Sequence, residues 1–363
     1  MSADLKVLRA PLEAARHQRR TLVLATLVST EGSSYRKAGA RMLMSPDGDW
    51  WGLLGGGCFE GDLVDRARAA LAGPAQIVEY DLRGESDALW GLGAGCEGKI
   101  RILLQRLTPE NGYQPLAGAL ALARKRQTGL VVTVVQPGKT SLVAGEAVVA
   151  AGEGIVSSTG ETAAQALSEI ALARLRDKAP RGMETVAVAD GDVGVFVDPL
   201  PPPVHLLIAG AGPDAIPMAQ MASELGWDVT IADHREGWAR PDRFPAGCNV
   251  ICLEPRDAVG TLATDPPDAA LVMTHNLAAD TRWLEALARV NPEWLGVLGP
   301  ARRRARLLGD VSAAAREQLE NRLHGPVGLD IGGEGPGPIA LSTIAGIQAS
   351  IAGREGGIIG ASR

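Results

Sequence analysis

One stretch, HLLIAGAGPDA at 205–215, restricts the second half of this chain to one kind of architecture. An apolar run stops at Gly210-x-Gly212-x-x-Ala215, and a helical pattern begins there. In a strand-to-helix turn of this spacing the first glycine permits the tight bend. The second lets a diphosphate approach the backbone, and the small third residue lets the helix pack on the strand. The next apolar run, DVTIAD, ends in Asp233, about twenty residues on, where the dinucleotide fingerprint places a carboxylate for a ribose hydroxyl. Arg235 follows and is suited to a 2′-phosphate, so NAD, NADP or another nucleotide is a candidate ligand. The pattern continues with strands at 204–209, 228–232, 248–253, 269–273 and 294–298, and helices at 213–225, 279–290 and 301–308. Alternation of this kind predicts a Rossmann-like parallel sheet with crossover helices.

An open sheet of this type binds ligands beyond the carboxyl ends of its strands. LVMTHN places His275 at such an end, as a candidate for proton transfer, and GVLGPARRRARL places Arg302 in the first turn of the following helix. Cations there oppose the helix dipole, so Arg302 either meets an anion or belongs to a solvated basic face. Cys248 and Cys252 are four apart in what reads as a buried strand and are expected on one face of it, as core residues.

Upstream, DPLPPPV marks an abrupt change in composition. Its prolines form a stiff extended connector, which sets the expected domains at 1–198 and 204–355, a linker at 199–203 and a flexible tail at 356–363. The first domain opens with a helix over 5–20 and a strand over 21–29, and a hairpin follows around the turn PDGD. A helix starts at Phe59. Strands near 76–82, 99–106, 129–135, 142–149, 183–189 and 193–198 and helices near 115–126 and 161–176 complete a mixed α/β domain. Between the first strand and the hairpin, GSSYRKAGAR offers Ser33, Ser34, Arg36, Lys37 and Arg41, small and cationic residues suited to an anion. LLGGGCFEG then sets Gly55, Gly56 and Gly57 at a helix start. No Lys-Ser or Lys-Thr follows, which excludes a Walker loop, but the turn suits an anion nest. Cys58 falls at the expected N-cap, where the helix dipole favours thiolate. Cys96, in WGLGAGCEGKI, sits among glycines in a similar way.

The net charge of -6 and the pI near 5.5 exclude a dedicated nucleic-acid binder. No apolar run approaches the roughly 18 residues of a membrane span, and nothing reads as a signal peptide. We therefore expect a cytoplasmic protein without membrane contact. Four cysteines without a CxxC form neither a disulfide framework nor a structural zinc site.

GSSYRKAGARMLMSPDGDWWGLLGGGCFEGDLVDRA and WGLGAGCEGKIRILLQRL resemble the first domain of the XdhC/CoxI family, the xanthine dehydrogenase accessory proteins. The segments HLLIAGAG, MTHN, GVLGPARRRARL and GPVGLDIGG are similar to that family's C-terminal Rossmann domain. The resemblance implies a maturation role: binding the molybdenum cofactor, as molybdopterin or its cytidine dinucleotide form, and protecting it during sulfuration by a cysteine desulfurase. Delivery to an apo-molybdenum hydroxylase of the xanthine or carbon monoxide dehydrogenase type follows. Cys58 matches the family's GGC segment, so a part in cofactor binding or sulfur handling transfers to it, and Cys96 matches the second glycine-flanked cysteine. A thiolate at Cys58 is a suitable transient ligand for dithiolene-bound molybdenum. We expect a homodimer. The alternative is an NAD(P)-dependent oxidoreductase in which His275 moves protons in a cleft between the domains.

Overall fold

The computed structural model describes residues 3–57, 59–82 and 98–358. Chain contacts divide it into two units that meet in sequence at Pro202 and Pro203. The preceding strand runs on through Pro199 to Leu200 and pairs there with Leu130 and Gly129, so part of the expected linker is sheet.

The first unit is built on two antiparallel five-stranded sheets. Strands β1 (Leu22–Gly32), β2 (Arg41–Met44), β3 (Trp50–Gly52), β4 (Gln76–Asp81) and β5 (Gly98–Leu107) form the first, in the order β3-β2-β1-β5-β4. In β1 both faces are covered, which explains its unbroken apolar run. Val23, Ala25 and Leu27 pack with Leu63, Val64 and Ala67 of helix α2 (Glu60–Ala70). Leu22 and Leu24 meet Leu5, Leu8 and Leu12 of helix α1 (Ala3–Gln18) together with Leu116 and Leu120 of helix α3 (Leu116–Arg124). The β1–β5 register shifts between Leu27 and Ser29, a bulge just ahead of the loop that carries Ser33 to Lys37.

The second sheet contains β6 (Gly129–Gln136), β7 (Ala147–Ala151), β8 (Gly154–Ser158), β9 (Gly182–Val188) and β10 (Gly191–Leu200), ordered β8-β7-β6-β10-β9. Helix α4 (Glu161–Arg176) covers one face with Ala163, Leu167 and Ala171. Strand β8 is not expected from the sequence because it is a short edge strand with no buried residue. The strand expected at 142–149 begins only at Ala147, after a turn through Gly145.

The second unit carries a six-stranded parallel sheet, as the alternation predicts. Its strands are β11 (His205–Ala209), β12 (Asp228–Asp233), β13 (Asn249–Cys252), β14 (Ala269–Val272), β15 (Trp294–Val297) and β16 (Leu323–His324). The order is β13-β12-β11-β14-β15-β16, so the topological switch point lies between β11 and β14. The helices are α5 (Ala215–Glu224), α6 (Ala258–Leu262), α7 (Leu277–Val290), α8 (Ala301–Asp310), α9 (Ala313–Leu319) and α10 (Pro336–Ile351). Gly210 has φ +129 and packs where a Cβ would lie 2.5 Å from the Met273 carbonyl oxygen, so only glycine fits.

The buried-strand reading of Cys248 and Cys252 is corrected. Strand β13 is an edge strand, Cys252 is exposed, and Cys248 precedes the strand and is only partly buried. Among the described residues, no helix is long and apolar enough to cross a membrane.

Candidate functional sites

In the first unit, the loop after β1 and the turn before α2 come together. A Cβ on Gly56 would lie 3.6 Å from the ring of Tyr35, which is 61% exposed. A Cβ on Gly98 would fall 2.2 Å from the carbonyl oxygen of Ser33. Cys58 and Cys96 lie outside the described residues; Gly56 and Gly98, each two positions away from one of them in the chain, border this loop. Tyr35 is the residue that sequence reasoning missed, since an aromatic among small and basic residues gives no periodic signal.

The turn itself is internally satisfied. Glu60, only 2% exposed, accepts the N–H groups of Leu54 (3.0 Å), Gly55 (2.6 Å) and Gly57 (3.0 Å). Gly56 and Gly57 take φ of +71 and +97, and a Cβ on Gly55 would collide with the Phe59 ring, which stacks on Tyr80. This chain's own carboxylate therefore occupies the expected anion nest at Gly55 and Gly57, whose N–H groups are not free for a ligand.

Two cations assigned to the same loop, Arg36 and Arg41, are also engaged. Arg36 holds Asp4 through Nη2, which donates to both carboxylate oxygens (2.6 and 2.5 Å). Ser34 donates to the Arg36 carbonyl oxygen at 2.9 Å. Arg41 is buried and pairs with Asp198, which also accepts from Arg181 Nε at 2.5 Å. Arg41 thus joins β2 to β10 rather than facing a ligand. Ser33 and Lys37 remain exposed.

In the second unit, the candidate residues gather at the carboxyl ends of β11, β12, β14 and β15. Asp233 is fully buried; Arg235 Nε donates to its Oδ1 (2.9 Å) and Nη2 to its Oδ2 (2.7 Å), and the Ala211 N–H donates to Oδ2 (2.8 Å). Burial opposes its ionisation, but the hydrogen bonds from Arg235 and from the backbone outweigh burial and hold the carboxyl below its usual range. The Arg235 guanidinium lies 5.0 Å from the Trp238 ring centroid, and that of Arg243 lies 4.8 Å from it. Asp233 is thus committed within the chain, not free for a ribose.

His275 follows β14 with φ +61, and its Nε2 donates to Asp214 Oδ2 at 2.7 Å across the switch point. Behind it, buried Asp280 accepts from the Thr274 hydroxyl (2.5 Å), the Thr274 N–H (3.1 Å) and Arg303 Nη2 (2.6 Å). Arg303, next to Arg302, is therefore part of a structural network, while Arg302 is exposed. The hydrogen bond to Asp214 raises the His275 pKa against the opposing effect of burial. Because the folded value lies above the ordinary 6.5, the stabilisation from this pair is complete below about pH 6.5 and fades as pH rises through the raised value. We expect wild type and His275→Gln to differ more in urea unfolding at about pH 5.5 than at about pH 9. The effect is small, since the side chain is 59% exposed, and a difference that does not vary with pH would rule the pair out.

Among the described residues, no group of three or more His, Cys, Asp or Glu side chains is placed to hold a metal ion.

Residues 206–347 match the model of the XdhC Rossmann domain, and residues 15–81 match that of the XdhC and CoxI family. The chain is 32% identical over 342 residues to a protein of Bacillus subtilis described as a probable xanthine dehydrogenase subunit, covering 93% of this chain and 95% of that protein. It is 24% identical to the molybdenum cofactor insertion chaperone PaoD of Escherichia coli, over 89% of this chain and 81% of that one. Among solved structures, a xanthine dehydrogenase from Bacillus halodurans superposes with a TM-score of 0.76 at 29% identity, covering 98% of this chain and 97% of the other.

Proposed function

Since this chain belongs to the XdhC and CoxI family, we propose that it is an accessory protein that carries the molybdenum cofactor as cargo to an enzyme of the xanthine dehydrogenase type. The observation that best supports this is local. The loop of Ser33, Tyr35 and Lys37 meets the glycine turn at Gly56 and the start of β5 at Gly98, the segments that flank Cys58 and Cys96 in the chain. The described insertion role of the Escherichia coli relative supports the same cargo.

In this reading the soft thiolates of Cys58 and Cys96 meet the molybdenum dithiolene, with Cys58 as a transient ligand. Tyr35 presents an exposed ring to the flat pterin, and Lys37 and Ser33 meet its phosphate or cytidine dinucleotide end. Because Glu60, Asp4 and Asp198 already hold the turn, Arg36 and Arg41, these residues shape the loop rather than bind the cargo. Protection during sulfuration by a cysteine desulfurase, a homodimeric assembly and a cytoplasmic location belong to the same proposal.

The test is mass spectrometry with metal analysis on protein purified without oxygen from a molybdate-supplied host. We expect pterin and molybdenum with the wild type and at least about ten-fold less with Cys58→Ala, at unchanged unfolding; tenfold corresponds to about 1.4 kcal/mol of binding. Equal cargo in both proteins would remove Cys58 from the site, and none in the wild type would remove the carrier function.

A further inference from the structure

A Rossmann turn that binds a dinucleotide makes three provisions. Backbone N–H groups at the helix start face the diphosphate, open space lies over the second glycine, and a carboxylate at the end of the second strand is free for the ribose. This domain keeps the glycines and the carboxylate, yet every provision is altered.

Pro213 follows Gly212 and contributes no N–H to the helix start. The space that Gly212 leaves is filled from within the chain: a Cβ there would lie 2.6 Å from Asp214 Oδ1 and 4.0 Å from His275 Cδ2. Asp214 is the N-cap residue of α5, so its negative charge occupies the end of the helix dipole that would otherwise attract a phosphate. His275, from the other side of the switch point, holds that carboxylate at 2.7 Å. The third provision is withdrawn as well, because both oxygens of Asp233 are taken by Arg235 and the Ala211 N–H.

We infer that Asp214, held by His275, is a built-in occupant of the diphosphate position, and that this Rossmann domain excludes NAD, NADP and other nucleoside diphosphates. What the crevice offers instead is the Nδ1 atom of His275. Its partner nitrogen is fixed on Asp214, and the ring is more than half exposed, so Nδ1 is presented as a single hydrogen-bonding atom. The ligand class that fits is an uncharged polar group, such as a hydroxyl or the ring nitrogen of a heterocycle, because any anion near the turn meets the Asp214 carboxylate.

The decisive experiment is isothermal titration calorimetry of the full chain with NAD⁺, NADP⁺ and ADP. We expect no measurable binding by the wild type and a gain of at least about ten-fold in affinity for ADP in Asp214→Ala and in Asp214→Asn. The asparagine variant keeps the size of the side chain and so separates charge from folding. His275→Gln leaves the carboxylate in place and should remain unable to bind. Tight wild-type binding of any of the three nucleotides would overturn the inference. So would a failure of both Asp214 variants to gain affinity, or a gain by His275→Gln equal to theirs.

Discussion

Replacing Asp198 by alanine should cost the first unit about 3–5 kcal/mol, a large share of the roughly 5–15 kcal/mol that keeps a domain folded. The side chain is 1% exposed and receives Arg41 from β2, on the first sheet, and Arg181 from the segment before β9. Arg181 also donates to the Pro199 carbonyl oxygen at 2.9 Å, so one guanidinium clamps two consecutive residues of β10. Removal of the carboxylate leaves the Arg41 charge buried without compensation, and that penalty rather than the lost attraction sets the size of the effect. Urea unfolding of Asp198→Ala is the measurement. A loss below about 1 kcal/mol would mean that water reaches Arg41, as at a surface pair. In an Asp198→Leu, Arg41→Met double variant both buried charges are gone, Arg181 is partly exposed and keeps the Pro199 carbonyl oxygen, and most of the stability should return.

Asp198 also explains where sequence reading ends. Arg41 reads as a ligand-facing cation because its neighbours are small and basic, and its partner stands 157 residues away. The same holds for Arg36 with Asp4, 32 residues apart, and for His275 with Asp214, 61 apart. Local patterns specify elements, whereas charge pairs between elements depend on how the chain folds back. The second unit was legible for the converse reason: its strands are buried apolar runs bounded by glycine and helix-start signals, so β11, β12, β14 and β15 fall within a residue or two of their expected limits. The short elements α9 and β16 carry too few residues to show a period. Cys252 misled because a buried strand and an edge strand of four residues have the same composition, and only the strand's place in the sheet distinguishes them. Glu60, by contrast, was within reach of a local rule. A lone carboxylate directly behind a run of glycines can reach back to their N–H groups, here three residues to Gly57, although the helix N-cap is Phe59 and the contact is not a capping box.

That reach makes Glu60 the second large effect. Its carboxylate accepts three backbone N–H groups, and a hydrogen bond to a charged group is worth about 1.5–3 kcal/mol. The exposed Gly57 recovers solvent when the carboxylate is removed, while the Leu54 N–H is left buried, so Glu60→Ala should lose about 2–4 kcal/mol rather than the full sum. Glu60→Gln keeps one acceptor oxygen but turns an amide N–H₂ towards donors, and should fall between the two. Stability alone would not separate a structural anchor from a functional shape. The rate of Cys58 alkylation against pH, measured in a background with Cys96, Cys248 and the exposed Cys252 all replaced by serine, adds a second readout, since Cys58 is covalently joined to the turn that Glu60 holds. If Glu60 sets that turn, Glu60→Gln shifts the alkylation profile and lowers cargo retention by more than its loss of stability explains. If alkylation and retention both match wild type in a variant that unfolds earlier, Glu60 contributes stability alone, and the shape of the glycine turn rests on Phe59 and the glycines themselves.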